Sequence, residues 1–317
     1  MKLLRNFSCV CLVVGVGAGC DSKSGSDTAA RKGHAFTVAV AFYPIEEVVR
    51  RVGGDAVNVI NLTPPGGEPH DLELTAQKTR ELEGANIVFY IGGGFQPGVE
   101  SVIDGLPSSV IRVNLLDGLK LLPVTPQLVG TSGDVAGEVL TGNADPHVWV
   151  DPTNMIVMAR VVETSLVSES PLDRATFEPN SNAYISELTT LDDEFKTQLK
   201  TCESRTIITS HRAFEYLARH VNLEQVPIAG ISPGEEPDAR SLEAIAAVAK
   251  AKGVTVVFFE TQVPKDLSET IAGEIGATTD ALDPVETITQ EGLDAGATYI
   301  TIQRANLAAL VKALRCR

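Results

Sequence analysis

The run FTVAVAF at residues 36–42, followed at once by Tyr43-Pro44, decides how the rest of the chain is read. Consecutive apolar residues without strict alternation describe a strand buried on both faces, as in a parallel sheet covered by helices. An amphipathic helix ending near Gly53-Gly54 comes next. Working outward, strand and helix keep alternating. Strands are expected at 56–62 (AVNVINL), 87–91 (IVFYI) and 109–114 (SVIRVN), with helical patterns at 75–84 and about 97–104 between them. This half therefore reads as an α/β lobe.

Residues 117–146 are rich in Gly, Pro and Thr and carry no periodicity, which predicts a long surface loop. A helical pattern returns from Asn154 to Ser168. Then Phe177, Tyr184, Leu188, Leu191, Phe195 and Leu199 recur at three- and four-residue spacing within 172–200. One helix over that stretch would run about 43 Å at 1.5 Å per residue, longer than a single lobe needs. Pro179 is expected to kink it or delay its start. Alternation resumes with strands at 205–210 (RTIITS), 226–229, 254–259 (VTVVFF) and 277–282. Helices are expected at 213–220, 241–252, 265–274 and 299–315. The fold class is thus α/β, two lobes each with a mainly parallel sheet flanked by helices, joined by one long helix. Boundaries fall at 35–168 for the first lobe, 169–201 for the linking helix and 202–317 for the second lobe. The halves share that pattern but no sequence repeat.

The first residues have the form of an export signal. Lys2 and Arg5 precede a short apolar stretch from Phe7 to Gly19, too short to span a bilayer, which needs about 20 apolar residues. Residues 1–19 read as a signal peptide and 20–34 as a flexible polar tether. Gly17-Ala18-Gly19-Cys20 resembles a bacterial lipobox, in which the cysteine is lipidated, although Gly17 replaces the usual branched aliphatic. An ordinary cleaved signal is the alternative. Either way the mature chain is extracytoplasmic. With Cys9 and Cys11 in the signal and Cys20 at the anchor, Cys202 and Cys316 remain, and the sequence leaves open whether they pair. The formal net charge of -15 argues against nucleic acid and is compatible with a cation as ligand.

Four segments place a metal-ligating side chain at a strand end or turn. His70 lies in Glu68-Pro69-His70-Asp71 after the second strand, and His147 in DPHVWVDP (145–152), held between two Asp-Pro pairs that stiffen the turn. His211 ends the first strand of the second lobe, and Asp283 follows a late strand. In parallel sheets the crevice beyond the carboxyl ends of the strands is where ligands bind. If the two crevices face each other, three imidazoles and a carboxylate converge on an ion between the lobes. Three nitrogens and one oxygen suit Zn²⁺, while Mn²⁺ and Fe²⁺ favour more oxygen.

These segments, EPHDLEL (68–74), DPHVWVDP, TSHRAFEYLARHVNLEQVPIAGISPGEEP (209–237), LDPV (282–285) and YITIQRANLAALVKAL (299–314), make the chain similar to the solute-binding lipoproteins of bacterial zinc and manganese ABC transporters. The resemblance covers nearly the whole mature chain. It implies a monomeric, non-enzymatic protein, tethered to the membrane through lipid on Cys20, that delivers metal to an ABC permease. It assigns the ligands to His70, His147, His211 and Asp283 and joins the lobes by one rigid helix. Two departures stand: 117–146 lacks the His- and acid-rich run common in zinc-specific members, and Asp280 or a water could replace Asp283 as fourth ligand. Manganese or iron uptake, a zinc-dependent hydrolase and an adhesin are the competing readings. No HExxH pairing supports the hydrolase.

Among other motifs, His34 belongs to the tether, and His220 falls nine residues after His211, on the opposite side of its helix. Gly92-Gly93-Gly94 lacks the Lys-Ser/Thr of a phosphate loop. Glu235-Glu236 are expected to cap their loop, Asp71 to orient His70, and Trp149 to anchor packing beneath His147.

Overall fold

The computed structural model describes residues 36–124, 144–235 and 237–317. The first sheet is built by β1 (Phe36–Val40), β2 (Val57–Asn61), β3 (Ile87–Tyr90) and β4 (Ile111–Asn114). All its strands are parallel, in the order β2-β1-β3-β4. Helices α1 (Tyr43–Gly53), α2 (Ala76–Glu83) and α3 (Pro97–Asp104) make the crossovers. Successive side chains of β1 and β3 go to opposite faces. Val38, Val40, Ile87 and Phe89 join the main core with Ile45 and Val48 of α1. Ala39 and Val88 pack in a separate cluster with Leu82 of α2 and Val99 and Ile103 of α3. Burial on both faces is what the unbroken apolar run required.

Helix α4 (Pro152–Glu169) and a short 3-10 turn at Pro171–Asp173 lead into α5 (Arg174–Gln198). The 25 residues of α5 span about 37 Å at 1.5 Å per residue. Pro179 does not delay the helix, which begins five residues before it; so early in the helix the proline forfeits one i→i−4 bond. The second sheet comprises β5 (Thr206–Thr209), β6 (Glu224–Pro227), β7 (Val256–Phe259) and β8 (Thr278–Ala281), again all parallel, in the order β6-β5-β7-β8. Its helices are α6 (Glu215–His220), α7 (Ala239–Ala251) and α8 (Asp266–Ile275), followed by α9 (Gln290–Asp294) and α10 (Tyr299–Ala313). Strand order is therefore duplicated between halves that show no sequence repeat. β6 begins two residues earlier than its apolar residues suggest, because polar Glu224 and Gln225 pair with Thr206 and Ile207.

The outer face of the second sheet packs Ile208 and Val257 against Ile245 of α7 and Ile271 of α8. Its inner face belongs elsewhere. Ile207, Phe258, Leu307 and Leu310 share one continuous apolar cluster with Met155 and Met158 of α4, Tyr184 and Leu188 of α5, and the inner face of the first sheet. The lobes are therefore welded along α4, α5 and α10 by shared core.

Cys202 and Cys316 are joined in a disulfide across 114 positions of sequence, which settles the pairing the sequence left open. Neighbouring backbone bonds, Glu203 N–H to the Leu314 carbonyl and Arg317 N–H to that of Thr201, hold the same two segments together. A loop of this length gives a chain-entropy stabilisation of about 4–5 kcal/mol. A Cys202→Ser/Cys316→Ser variant should therefore unfold at clearly lower urea concentration than the oxidised parent; coincident urea curves would show that the bond adds nothing.

Candidate metal centre

The ligating atoms of His70, His147, His211 and Glu286 all lie within 4.8 Å of one another, and all four residues are buried. His70 hangs in the loop between β2 and α2, beneath the edge of the Phe95 ring, 4.6 Å between centroids. His147 precedes the 3-10 turn Val148–Val150 that opens α4. His211 follows β5, its carbonyl held by the Thr209 hydroxyl and the Gln225 amide. Glu286 lies between β8 and α9. In each sheet the strand order switches sides between its first and third strands, the place where a ligand crevice opens at the carboxyl ends of parallel strands. In the second sheet that is the gap between β5 and β7, where His211 and Glu260 stand.

Hydrogen bonds fix the direction in which two imidazoles point. His147 Nδ1 is 2.8 Å from Asp145 Oδ1, and His211 Nδ1 is 2.6 Å from Glu260 Oε1. A carboxylate only accepts, so each Nδ1 carries the proton and each Nε2 is turned inward. Those two Nε2 atoms are 3.3 Å apart, and each approaches Glu286 Oε1, at 3.3 Å from His147 and 3.1 Å from His211. His70 Nε2 is 3.7 Å from Glu286 Oε2 and has no hydrogen-bond partner. Four donors held about 2.0–2.1 Å from one ion in a tetrahedron stand about 3.3 Å from each other. The His147, His211 and Glu286 atoms already have that spacing, and His70 stands further out, at 3.7 Å from Glu286.

Burial would hold both imidazoles neutral, yet the surrounding carboxylates win. For His147, burial pulls the imidazole down, and the bonds to Asp145 and Glu286 overcome it, leaving its pKa raised. For His211, burial is outweighed by the charges of Glu260 and Glu286, and the shift is well upward. Glu286 is the mirror image. Burial would raise it, but the His211 charge and the approach of the His147 and His211 Nε2 groups hold it well below the usual carboxylate range. The pocket thus favours positive charge at its centre, whether brought by protons or by a metal.

Asp283, expected as the fourth ligand, is not in this group. Its Oδ1 accepts the Val285 N–H, and Asn306 grips its backbone on both sides. Burial and the nearby Glu260 and Glu286 charges raise its carboxyl to about 6. Three residues on, Glu286 has the longer side chain and follows Val285, whose φ of 60° turns the backbone just before it. Asp280, the alternative, is occupied on the surface with Lys312. The backing carboxylates Asp145 and Glu260 were also missed. Glu260 carried a readable signal, since it immediately follows the VTVVFF strand at the edge where ligands gather.

The remaining sequence features sort as follows. Trp149 is fully buried with its ring 5.2 Å from that of His147, and its Nε1 donates to the Pro284 carbonyl across the two lobes. His220 points away from the cluster and bonds Asp192 of α5 at 2.6 Å. The Gly94 and Gln96 N–H groups are taken by the Glu100 carboxylate, which excludes a phosphate there. Glu235 accepts weakly from the Ser232 N–H. Asp71 is exposed rather than turned onto His70. His34, Glu236 and residues 125–143 of the long loop lie outside the described residues.

A model of the family described as zinc-uptake complex component A, periplasmic (ZnuA), matches residues 38–313. The high-affinity zinc uptake system protein ZnuA of Bacillus subtilis is 32% identical over 298 residues, covering 94% of this chain and 93% of its own length. The zinc-binding lipoprotein AdcA of Streptococcus pneumoniae is 32% identical over 276 residues, 87% of this chain. The chain spans about half of AdcA, 55%. The crystal structure of the Zn(II)-bound ZnuA-like domain of AdcA superposes with a TM-score of 0.74 at 31% identity, covering 88% of this chain and 98% of that one.

Replacing Trp149 by Phe would leave the Pro284 carbonyl without its donor at the seam between lobes, at a cost of about 1–3 kcal/mol. Urea denaturation of Trp149→Phe should show that loss, and an unchanged midpoint would mean the bond contributes nothing.

Proposed function

The chain belongs to the family of periplasmic zinc-uptake components, and from that premise we propose that it captures Zn²⁺ outside the cytoplasmic membrane and delivers it to the permease of an ABC transporter. It is a transport component and not an enzyme. The observation that carries this reading is the pair of inward Nε2 atoms at 3.3 Å. With both Nδ1 positions protonated, each neutral imidazole turns its Nε2 lone pair into a buried pocket beside a carboxylate, an arrangement that a cation between them turns from repulsion to attraction. In this reading His70 and His147 from the first lobe, and His211 and Glu286 from the second, are the ligands. Three nitrogens and one oxygen favour Zn²⁺ over Mn²⁺ or Fe²⁺. Among the described residues no helix is long and apolar enough to cross a membrane. We place the protein at the outer side of the membrane, held as a monomer by lipid on Cys20 and the tether at 20–34.

Elemental analysis after exhaustive dialysis should find one zinc per chain, and thermal melts should rise more with Zn²⁺ than with Mn²⁺. A greater rise with Mn²⁺ would make this a manganese carrier, and no retained metal would end the transport reading. Glu286→Ala should weaken zinc binding strongly while Asp283→Asn stays near wild type; the reverse pattern would restore Asp283 as the ligand.

Protons compete for the same lone pairs. The metal-free pKa values of His147 and His211 lie above the ordinary value, so their protonated forms persist to higher pH than usual. Stabilisation of the metal-free protein by those protons is full below the unfolded-state pKa of about 6.5 and fades as pH rises through the raised folded values. Zinc affinity should therefore fall as pH drops, starting above pH 6.5, by about tenfold per competing proton per unit. Equal affinity at pH 8 and pH 5 in a chelator competition would contradict this.

A further inference from the structure

We infer that Glu260 is a positioning residue that sets the preference of this centre for zinc over manganese. The inference rests on the ligand set proposed above and concerns a residue outside that set. Glu260 is nearly fully buried, follows β7, and reaches across to the ligand that follows β5. Its Oε1 stands 2.6 Å from His211 Nδ1. Its backbone is bound to the same neighbour: the Glu260 N–H donates to the Ser210 hydroxyl at 3.1 Å, and that hydroxyl donates to the Phe258 carbonyl at 3.4 Å. Residues 258–260 and 210–211 are thus laced together at the switch point of the second sheet. The carboxylate cannot drift without moving His211.

Two effects follow from this contact. First, an acceptor on Nδ1 fixes the tautomer, so the neutral ring presents its lone pair at Nε2. Second, a full negative charge on that acceptor increases electron density on the ring and makes Nε2 a stronger donor. A stronger nitrogen donor benefits Zn²⁺ more than Mn²⁺, which binds nitrogen less tightly. Asp145 backs His147 in a similar way, but from two positions away, with the same Oδ1 also accepting the His147 backbone N–H at 2.9 Å. That carboxylate shapes a local turn as well as the ring. Glu260 comes from another strand, 49 positions along the chain, and builds no turn around His211. It is the cleaner lever on donor strength.

The test uses the full-length protein and two substitutions. Glu260→Gln keeps an oxygen that can accept from Nδ1 but removes the charge; Glu260→Ala removes both. Zinc and manganese affinities are measured by chelator competition, together with the Co²⁺ absorption spectrum and the ¹⁵N shifts of the His211 ring. Loss of an outer carboxylate typically lowers metal affinity about 10–100-fold. Glu260→Ala should show that loss for zinc with a smaller one for manganese, so that the Zn:Mn ratio contracts, and its Co²⁺ bands should change. Glu260→Gln should fall between, with the Nδ1–H tautomer retained. If Glu260→Ala does not fold, the ratio for Glu260→Gln decides. Variants that keep the wild-type Zn:Mn ratio and Co²⁺ spectrum would overturn the role of Glu260 while leaving zinc capture intact. A wild-type protein that retains no zinc would instead overturn the functional reading on which this one rests.

Discussion

Trp149 is the point on which both halves of the molecule lean. Its ring packs against Phe42 and Phe95 of the first lobe, and its indole N–H is spent on the Pro284 carbonyl of the second. Its own carbonyl accepts the Tyr299 hydroxyl at 2.7 Å, and the next carbonyl, of Val150, accepts the Gln303 amide. Four residues upstream of Trp149, the Tyr216 hydroxyl donates to the Asp145 carbonyl. The segment that carries His147 is therefore gripped from the second lobe at four places, although by sequence it belongs to the first. A buried aromatic with one polar handle suits such a seam because it fills space and still satisfies a backbone group.

That grip explains how imidazoles from separate lobes converge at the spacing an ion requires. A buried polar cluster is costly unless every group is satisfied, and here the carboxylates of Asp145, Glu260 and Glu286 each answer an imidazole nitrogen. His70 is the exception, with its Nε2 unpartnered. Its loop is also the one held to the second lobe through a backbone bond from Gly66 N–H to the Ile288 carbonyl. The imidazole whose Nε2 is unpartnered thus sits on a loop tied across to the second lobe by that backbone bond.

The fold was legible because its signal is periodic and local. FTVAVAF and VTVVFF announce doubly buried strands without help from distant residues, and the spacing of Phe177, Tyr184, Leu188, Leu191 and Phe195 announces the long helix. The three histidines were legible because each stands at a strand end or stiff turn. The carboxylates were not, since choosing among Asp280, Asp283 and Glu286 depends on the positive φ at Val285 and on side-chain reach, neither of which a spacing rule contains. Resemblance pointed to Asp283 for the same reason: it located the segment, while the grouping of Glu286 with the three histidines is a matter of loop geometry. The disulfide likewise depends on where α10 ends relative to β5, a tertiary fact.

The covalent link between Cys202 and Cys316 encloses His211, Glu260 and Glu286 in a single ring of chain. Disulfides form and persist in oxidising compartments, and this ring cannot shut until Cys316 has reached one. The second lobe is therefore fastened end to end only once its last residues have been made and oxidised, a knot tied after the rest of the lobe is already present.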